Sequence, residues 1–360
     1  MDLSRRSLWL VLICWLMVAL SVAACGGAPS TPSGSVPNMT LRVAQNTNSI
    51  SFFPFYVAEQ KQFFTKEGVT LDPSPPSLLG TGPKLTAALE SNSIDVAAGS
   101  VTDAFTLSRV DSYIKIVGTF ADAFLLDIIV SKQFERQTHL SASSSLAEKV
   151  QALVGKKIGI SSPGSTNDAL VTFLLRQQGL DALRDVTKVS LGGNNPATGL
   201  GALAQGRVDA LAFPVPVGQE AEAQGIGDIF ISPARGDVPE MQGQLYGVLF
   251  ARQQTLDAKP KAVQAFIRGL AQAEKWIHQN PTQAKALLGK YLKQNQEMTA
   301  AIFQACLPGL PQSPQISQQA YTTANQFHVK AGLIAIALPY QSLVATDTIT
   351  KALSGLPGSA

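Results

Sequence analysis

The fold class of this chain follows from residues 41–100, which read LRVAQNTNSISFFPFYVAEQKQFFTKEGVTLDPSPPSLLGTGPKLTAALESNSIDVAAGS. Short β-rich runs at 41–45, 69–71 and 94–97 alternate here with longer helical patterns at 53–67, 83–90 and 102–109. Alternation of this kind predicts parallel strands joined by crossover helices. We therefore expect an α/β fold, which continues with a strand at 114–117.

The same alternation begins again after the polar stretch 138–145. It predicts strands at 157–160, 186–191, 210–213 and 229–231, with helices at 165–178 and from residue 196. Beyond residue 253 the strand signals stop, and apolar residues at helical spacing predict helices at 260–279, 282–292 and 298–306. The sequence thus predicts two α/β lobes, with the helical tail packed on the first lobe.

Two apolar segments, 124–130 and 245–251, lie between the lobes and are the predicted hinge crossings. Two such connections make one lobe discontinuous, so we expect lobe 1 at 40–125 and 250–360 and lobe 2 at 126–249. Halves joined in this way can close on a cleft. The alternative is that both segments are ordinary core strands of one continuous sheet.

The composition excludes several classes of function. The 360 residues are 45% hydrophobic and 15% charged, so the chain can bury substantial cores. With 28 Lys and Arg against 25 Asp and Glu, the formal charge is only +3, which argues against a nucleic-acid partner. Three cysteines are too few for a disulfide framework, and His139, His278 and His328 lie far apart in the sequence. We expect no metal and no cofactor.

The N-terminus has the pattern of an export signal. Arg5 and Arg6 precede thirteen apolar residues at 8–20, and small residues follow as far as Cys25. A permanent transmembrane helix is the weaker alternative, because roughly 20 apolar residues are needed to cross a bilayer. The sequence VAAC at 22–25 resembles the lipobox of bacterial lipoproteins, which implies a signal peptide at 1–24 and lipidation of Cys25. A flexible tether rich in Gly, Pro and Ser is expected at 25–39.

Several motifs together resemble one family of proteins. They are FPFYVAE at 53–59, FTKEGV at 64–69, GTG at 80–82, LTAAL at 85–89, IDVA at 94–97, GKKIG at 155–159 and GRVDA at 206–210. The sequence resembles the solute-binding proteins of ABC importers for nitrate, sulfonates, taurine and the pyrimidine precursor of thiamine. This resemblance covers roughly residues 41–280 and implies a two-lobed, type II periplasmic-binding-protein fold, a small solute as ligand and an ABC permease as partner.

One position departs from the pattern of that family. Its members usually have a glycine before the aromatic residue where the first helix ends, whereas this chain has Gln62 there. A left-handed helix end strains any residue with a side chain, so we expect a different local turn at Gln62.

Ligand contacts are expected where strand ends meet helix N-termini, because unpaired amides and the helix dipole point to that edge. Both predicted lobes offer polar and aromatic residues at such ends. In the first lobe the candidates are Asn46, Ser49, Phe52, Phe53, Gly99, Ser100, Thr102, Phe120 and Asp122. In the second lobe they are Ser162, Gly164, Ser165, Thr166, Asn194, Asn195 and Phe213.

Plain structural roles compete with ligand contact at most of these positions. Ser165 and Asp168 have capping-box spacing, and phenylalanines are usually buried in a core. Carboxylates at Asp103, Asp122 and Asp127 would suit an amine or an aminopyrimidine better than a sulfonate, whereas a bare anion would prefer hydroxyl and amide donors. The charge of the ligand stays open at this point.

No catalytic motif is supported by its context. The segment GLGALA at 199–204 fits the loose dinucleotide pattern, but its glycines lie inside a predicted helix rather than in a strand-to-helix turn. The sequence has neither a P-loop nor a GxSxG elbow. It predicts a monomeric solute-binding protein, lipid-anchored on the extracytoplasmic face of the cell membrane, and not an enzyme. The alternatives are a thiamine-pyrimidine biosynthetic enzyme on the same fold and a ligand-sensing module for a separate receptor.

Overall fold

The computed structural model describes residues 39–354 and residue 356. These residues form two five-stranded sheets and a two-stranded sheet with helices packed around them, so the predicted α/β class is confirmed. The expected signal peptide at 1–24, Cys25 and nearly all of the expected tether lie outside the described residues. Among the helices that are described, none is long and apolar enough to cross a membrane.

The strands are short, and their order shows how the chain builds the sheets. They are β1 (Met39–Leu41), β2 (Val43–Gln45), β3 (Val69–Leu71), β4 (Ser77–Leu78), β5 (Val96–Ser100), β6 (Ile114–Ala121), β7 (Leu126–Ser131), β8 (Lys157–Ile160), β9 (Thr187–Ser190), β10 (Ala210–Pro214), β11 (Gly227–Ile231) and β12 (Gly247–Arg252). The first sheet has the order β4-β2-β5-β12-β6 and the second β11-β7-β10-β8-β9, while β1 pairs with β3. In both large sheets the strands linked by crossover helices are parallel, as the alternating sequence predicts.

The chain passes from the first sheet to the second between Ala121 and Leu126, and it returns between Ile231 and Gly247. The predicted crossings at 124–130 and 245–251 are therefore mostly the strands β7 and β12, because long apolar runs suit buried strands better than connections. These two strands pair antiparallel with their neighbours and belong to different sheets, so the alternative of one continuous sheet is wrong. The lobe boundaries and the hinge role of the crossings stay predictions.

Helices cover the sheets and make up the tail of the chain. They are α1 (Phe53–Gln60), α2 (Phe63–Lys66), α3 (Gly82–Glu90), α4 (Val101–Ser108), α5 (Lys132–Thr138), α6 (Leu146–Ala152), α7 (Thr166–Gln177), α8 (Pro196–Ala204), α9 (Val217–Ala223), α10 (Gln253–Ala258), α11 (Pro260–Gln279), α12 (Pro281–Leu292), α13 (Gln296–Cys306), α14 (Gln318–Ala331), α15 (Tyr340–Leu343) and α16 (Thr346–Leu353). Eight of the described helices begin at a residue whose side chain accepts an N–H of the first turn, as preferred N-caps do. Four of these caps are Thr81 for α3, Ser100 for α4, Ser165 for α7 and Asn195 for α8.

The helical tail contacts both halves of the molecule. Helix α11 packs beside the first sheet, where the ring of Phe266 stacks on Phe64 at 4.9 Å between centroids. Helix α14 instead reaches α7 of the second half, with Phe327 at 4.9 Å from Phe173. The expectation that the tail packs on the first half alone is therefore incomplete, since helical spacing shows which residues are apolar but not which partner covers them.

The helix predicted at 53–67 is broken at Gln62 into α1 and α2. Gln62 has φ 58° and ψ 30°, which is the left-handed conformation that usually selects glycine. The expected change of turn is therefore wrong: the glutamine keeps the turn at a cost of roughly 1 kcal/mol. The turn directs Phe64 of α2 into the core, where it is 3% exposed.

Candidate functional site

A cavity lies between the two large sheets, where strand ends face the N-termini of α3, α4 and α7. Its volume is about 40 Å³. The side facing the first sheet is lined by Asn46, Thr47, Ser49, Ser51, Phe52, Gly82, Gly99, Ser100, Asp103, Phe120 and Gly247. The other side is lined by Leu126, Ser161, Ser165, Thr166, Asn167, Asn194 and Pro214, with Tyr246 from the returning crossing.

Asp103 organises the wall of the cavity on the side of the first sheet. Its Oδ2 accepts three hydrogen bonds, from Asn46 Nδ2 at 3.0 Å, from the Ser100 backbone N–H at 3.0 Å and from Ser100 Oγ at 2.8 Å. The backbone N–H of Asp103 donates to Ser100 Oγ at 3.2 Å in return, which completes a capping box. Burial raises the pKa of the Asp103 carboxyl, and these hydrogen bonds oppose that effect.

A glycine makes room for this carboxylate. A Cβ atom built on Gly82, the first residue of α3, would lie 1.7 Å from Asp103 Oδ1. Any side chain at position 82 would therefore displace Asp103 or the helix start. The negative charge also lies near the N-termini of α3 and α4, where helix dipoles favour an anion.

The wall on the side of the second sheet is a chain of side-chain hydrogen bonds. Ser161 Oγ donates to Asn167 Oδ1 at 2.7 Å, and Asn167 Nδ2 donates to Asn194 Oδ1 at 2.9 Å and to the carbonyl of Ala212 at 2.5 Å. These partners fix the orientation of both amides, because each oxygen accepts and each bonded nitrogen donates. Asn194 Nδ2 has no hydrogen-bond partner among the described residues and is free to donate.

The two walls touch directly across the cavity. Thr166 Oγ1, in the first turn of α7, donates to Ser100 Oγ at 2.7 Å. The loop after β9 also approaches the loop before α3, where a Cβ on Gly193 would lie 3.3 Å from the carbonyl oxygen of Gly80. The structure therefore shows the two halves in contact around a small polar space.

Comparison with known proteins shows which protein family this chain matches. The sequence matches the NMT1-like family over residues 36–292. The chain belongs to this family. The resemblance found in the sequence motifs is thereby confirmed, although the chain matches no curated protein.

Solved structures show which fold this NMT1-like chain has. A protein from Bordetella bronchiseptica RB50 is 25% identical, with a TM-score of 0.71 over 87% of this chain and 96% of that one. The alkanesulfonate-binding protein of Xanthomonas axonopodis pv. citri, bound to MOPS, is 20% identical, with a TM-score of 0.65 over 86% and 99%. The periplasmic nitrate-binding protein of Synechocystis PCC 6803 is 15% identical, with a TM-score of 0.67 over 89% and 90%. The predicted periplasmic-binding-protein fold is confirmed.

The structure brings many of the predicted site residues of this NMT1-like protein to one place. Those that line the cavity are Asn46, Ser49, Phe52, Gly99, Ser100, Phe120, Ser165, Thr166 and Asn194. Ser165 is a special case, because its hydroxyl donates to the carbonyl of Ser162 at 2.6 Å and accepts the N–H of Asp168 at 3.3 Å. Its side chain is thus committed to the start of α7. The carboxylate of Asp168 accepts the N–H of Gly164 instead of completing a capping box.

Four predicted site residues lie in the core or at the chain crossing and do not line the cavity. Three of them belong to the first half and one to the second sheet. Phe53 is fully buried and packs its ring against Tyr291 at 6.0 Å between centroids. Thr102 is fully buried and bonds to His328 Nε2 at 2.9 Å. Asp122 accepts a hydrogen bond from Thr119 Oγ1 at 2.9 Å, and burial raises its pKa to about 6.

Phe213 is the fourth, and its ring lies against α8. A Cβ on Gly199 of that helix would stand 2.8 Å from the ring. Glycines 199 and 201 are thus inside α8, which confirms that the loose dinucleotide pattern is helical packing. The rule that strand ends carry ligand residues fails at Phe213 because its side chain points to the opposite face of the strand from the cavity.

Three predicted site residues of the second half lie in loops or at a helix start and do not line the cavity. Asn195 caps α8 by accepting the N–H of Thr198 at 3.2 Å. Gly164 has φ 74°, and its N–H is bonded to Asp168. The hydroxyl of Ser162 is buried without a partner among the described residues and does not line the cavity.

Sequence reasoning missed several residues that line the cavity. Asp103 was a candidate charge but not a site residue, although its position three residues after Ser100 is the spacing of a capping box. Asn167 and Gly82 also lie just after the caps of their helices. Asn167 comes two residues after Ser165 in α7, and Gly82 directly follows Thr81 in α3. Tyr246 comes from the returning crossing, and no motif marks it. Burial raises its pKa, and the charges of Asp103 and Asp127 raise it further.

The described residues offer little for a metal. No group of three or more His, Cys, Asp or Glu side chains among them could hold an ion. The cavity instead combines hydroxyl groups, amides and one carboxylate with the rings of Phe52 and Phe120, which lie 5.0 Å apart. This combination can bind a small polar molecule through hydrogen bonds on two opposing sides.

Proposed function

We propose that this protein is the solute-binding component of an ABC importer and captures a small molecule between two lobes. The observation that carries the proposal is the cavity shared by both large sheets, with Thr166 Oγ1 bonded to Ser100 Oγ across it. Alkanesulfonate- and nitrate-binding proteins that share the fold support the class of function. The resemblance adds taurine and the thiamine-pyrimidine precursor to the solutes that relatives take.

The contact across the cavity suggests how a solute would act. In an open form the hydroxyls of Ser100 and Thr166 are hydrated, and in the closed form they meet each other and the solute. A solute that bonds to both walls binds the closed form more tightly, so it shifts the population towards closure. The crossings at 122–125 and 232–246 are the segments about which the lobes would move. A permease would then recognise the closed shape.

The protein is proposed to bind its solute without changing it. Serine and threonine hydroxyls line the cavity, but no histidine or lysine among the described lining residues stands beside them as a general base that would activate a nucleophile. Asp103, the carboxylate of the cavity, completes the capping box of α4 through Oδ2. The expected product of a binding experiment is the unaltered solute.

The N-terminal sequence supports a place on the outer face of the cell membrane. The export signal at 1–24 and the lipobox ending at Cys25 would leave an acylated N-terminus, and 25–39 would act as the tether. Cys25→Ser is expected to move the protein from the membrane fraction to the soluble extracytoplasmic fraction. Retention of that variant in the membrane fraction would contradict lipidation at this position.

The proposed function is tested by recovering a solute bound to the protein and by measuring whether the two lobes close around it. Purified protein is incubated with an extract of small metabolites, washed, and analysed by native mass spectrometry and by small-angle scattering. We expect one small molecule bound in a one-to-one complex, a smaller radius of gyration with the solute than without it, and release of the solute with unchanged mass. A protein that retains nothing, or that returns a chemically altered molecule, would refute the proposal.

A further inference from the structure

We infer that the cavity takes a small organic cation of the amidinium, guanidinium or ammonium class, held by the free acceptors of Asp103 and Asn46, and not an oxoanion. This inference rests on the proposed function and adds the chemical class of the solute. It separates this chain from the relatives that bind an alkanesulfonate or nitrate.

The first step is the count of acceptors on the wall of the first sheet. Asp103 Oδ2 already accepts three hydrogen bonds, whereas Asp103 Oδ1 has no partner among the described residues. Asn46 must turn its Nδ2 towards Asp103, because only that atom can donate to the carboxylate. Its Oδ1 is therefore an oriented acceptor, buried and without a partner among the described residues. A buried acceptor without a partner is costly, so Asn46 Oδ1 favours a donor from the solute, and Asp103 Oδ1 is a second acceptor available to it.

The second step is the charge of the cavity. No lysine, arginine or histidine is among the described residues that line it, so a bound anion would meet no balancing cation. Asp103 is 4% exposed, and a second negative charge beside it would be repelled through a poorly screened interior. A cation would instead form a charge-assisted hydrogen bond with Oδ1, which is about twice as strong as a neutral one.

The third step concerns the helix N-termini, which in many proteins bind anions. In this chain Asp103 already takes that role. Its Oδ2 accepts the N–H of Ser100 at the start of α4, and its Oδ1 lies over Gly82 at the start of α3. An internal carboxylate therefore stands where an external oxoanion would have to bind. Two donors without a partner among the described residues remain, Asn194 Nδ2 on the opposite wall and the hydroxyl of Ser51, and they suit acceptor atoms elsewhere on the solute.

The experiment compares probes of both charges at constant ionic strength. Acetamidinium, guanidinium and methylammonium are titrated calorimetrically up to 10 mM, beside nitrate and methanesulfonate. We expect at least one cation to bind at least tenfold more tightly than either anion. Tighter binding of an anion would overturn the inference and leave the proposed function standing. Failure of all three cations to bind also overturns it, and the metabolite test decides separately whether the proposed function survives.

Substitutions in the cavity test which side chains contact the bound cation. Asp103→Asn is expected to weaken cation binding at least tenfold, because it keeps the size of the side chain and removes its charge. Since that change also weakens the cap of α4, Asn46→Ala serves as a second variant that leaves the bonds between Asp103 and Ser100 in place, and it is expected to weaken binding by at least fivefold. Asp347→Asn, at an exposed aspartate on α16, is the control and should bind as the natural protein does. Unchanged affinity in both cavity variants would refute the assignment.

Discussion

Replacing Asp127 by asparagine should stabilise the protein at neutral pH. Asp127 lies on β7, is 1% exposed, and neither of its carboxylate oxygens has a hydrogen-bond partner among the described residues. Burial raises its pKa from 3.8 to about 6, although the side chain of Ser232 and then the positive charge of Arg235 partly oppose this. One pKa unit corresponds to about 1.4 kcal/mol, so the ionised carboxylate lowers the free energy of unfolding by about 3 kcal/mol.

The pH dependence gives this prediction its sign. Between about pH 4 and pH 6 the folded protein holds a proton on Asp127 that the unfolded chain has released, so the stability of the natural protein falls as the pH rises through this range. Asparagine has no charge to bury. The variant should therefore be more stable by about 3 kcal/mol at pH 8 and nearly equal at pH 3.5.

Urea unfolding followed by Trp276 fluorescence measures the difference, since Trp276 is the one tryptophan outside residues 1–24. Asp347→Asn controls for the loss of an exposed aspartate and should change stability little at either pH. Equal stability of Asp127→Asn and the natural protein at pH 8 would refute the reasoning, because it would mean that the buried carboxylate carries no desolvation cost.

Four further substitutions test the backbone, the packing of α8 and the contact between the sheets. Gln62→Gly should raise the free energy of unfolding by about 0.5–1 kcal/mol, because φ 58° strains glutamine but not glycine; urea unfolding that shows a loss would contradict this. Gly201→Ala in α8 should add about 0.5–1 kcal/mol, since nothing lies within 4 Å of its Cβ position, whereas Gly199→Ala should destabilise by crowding the ring of Phe213. Thr166→Val removes the hydroxyl that bonds to Ser100, so scattering should show a larger radius of gyration for the solute-free variant; an unchanged radius would count against this bond as a closing contact.

Much of the fold could be predicted from the sequence, because it depends on local patterns. The helix at 260–279 and the strand at 157–160 have the predicted bounds, because apolar spacing and the proline that begins the helix are local signals. The crossings were misplaced because the apolar runs at 124–130 and 245–251 belong mostly to the buried strands β7 and β12 and not to the connections before them. The left-handed turn at Gln62 was not expected for a different reason: the strain there is offset by the packing of Phe64 against α11, which involves residues distant in sequence.

The candidate site could be predicted only in outline. Strand ends with polar loops located Asn46, Ser100 and Asn194, because the carboxyl edge of a parallel sheet is a property of topology. The role of each side chain was harder to predict, since one hydroxyl can cap a helix, bind a ligand or do both. Ser165 proved to be occupied by its own helix start, whereas Thr166 beside it reaches the opposite wall. Only the three-dimensional distances separate these roles.

The position of Asp103 links the stability of the fold to the chemistry of the cavity. Its Oδ2 holds the start of α4 through Ser100 and orients Asn46, while its Oδ1 lies at the start of α3 over Gly82. A bound cation would keep this carboxylate ionised and so strengthen its capping bonds, while a bound anion would favour its protonation and weaken them. The same residue therefore selects the charge of the solute and couples binding to the order of both helix starts.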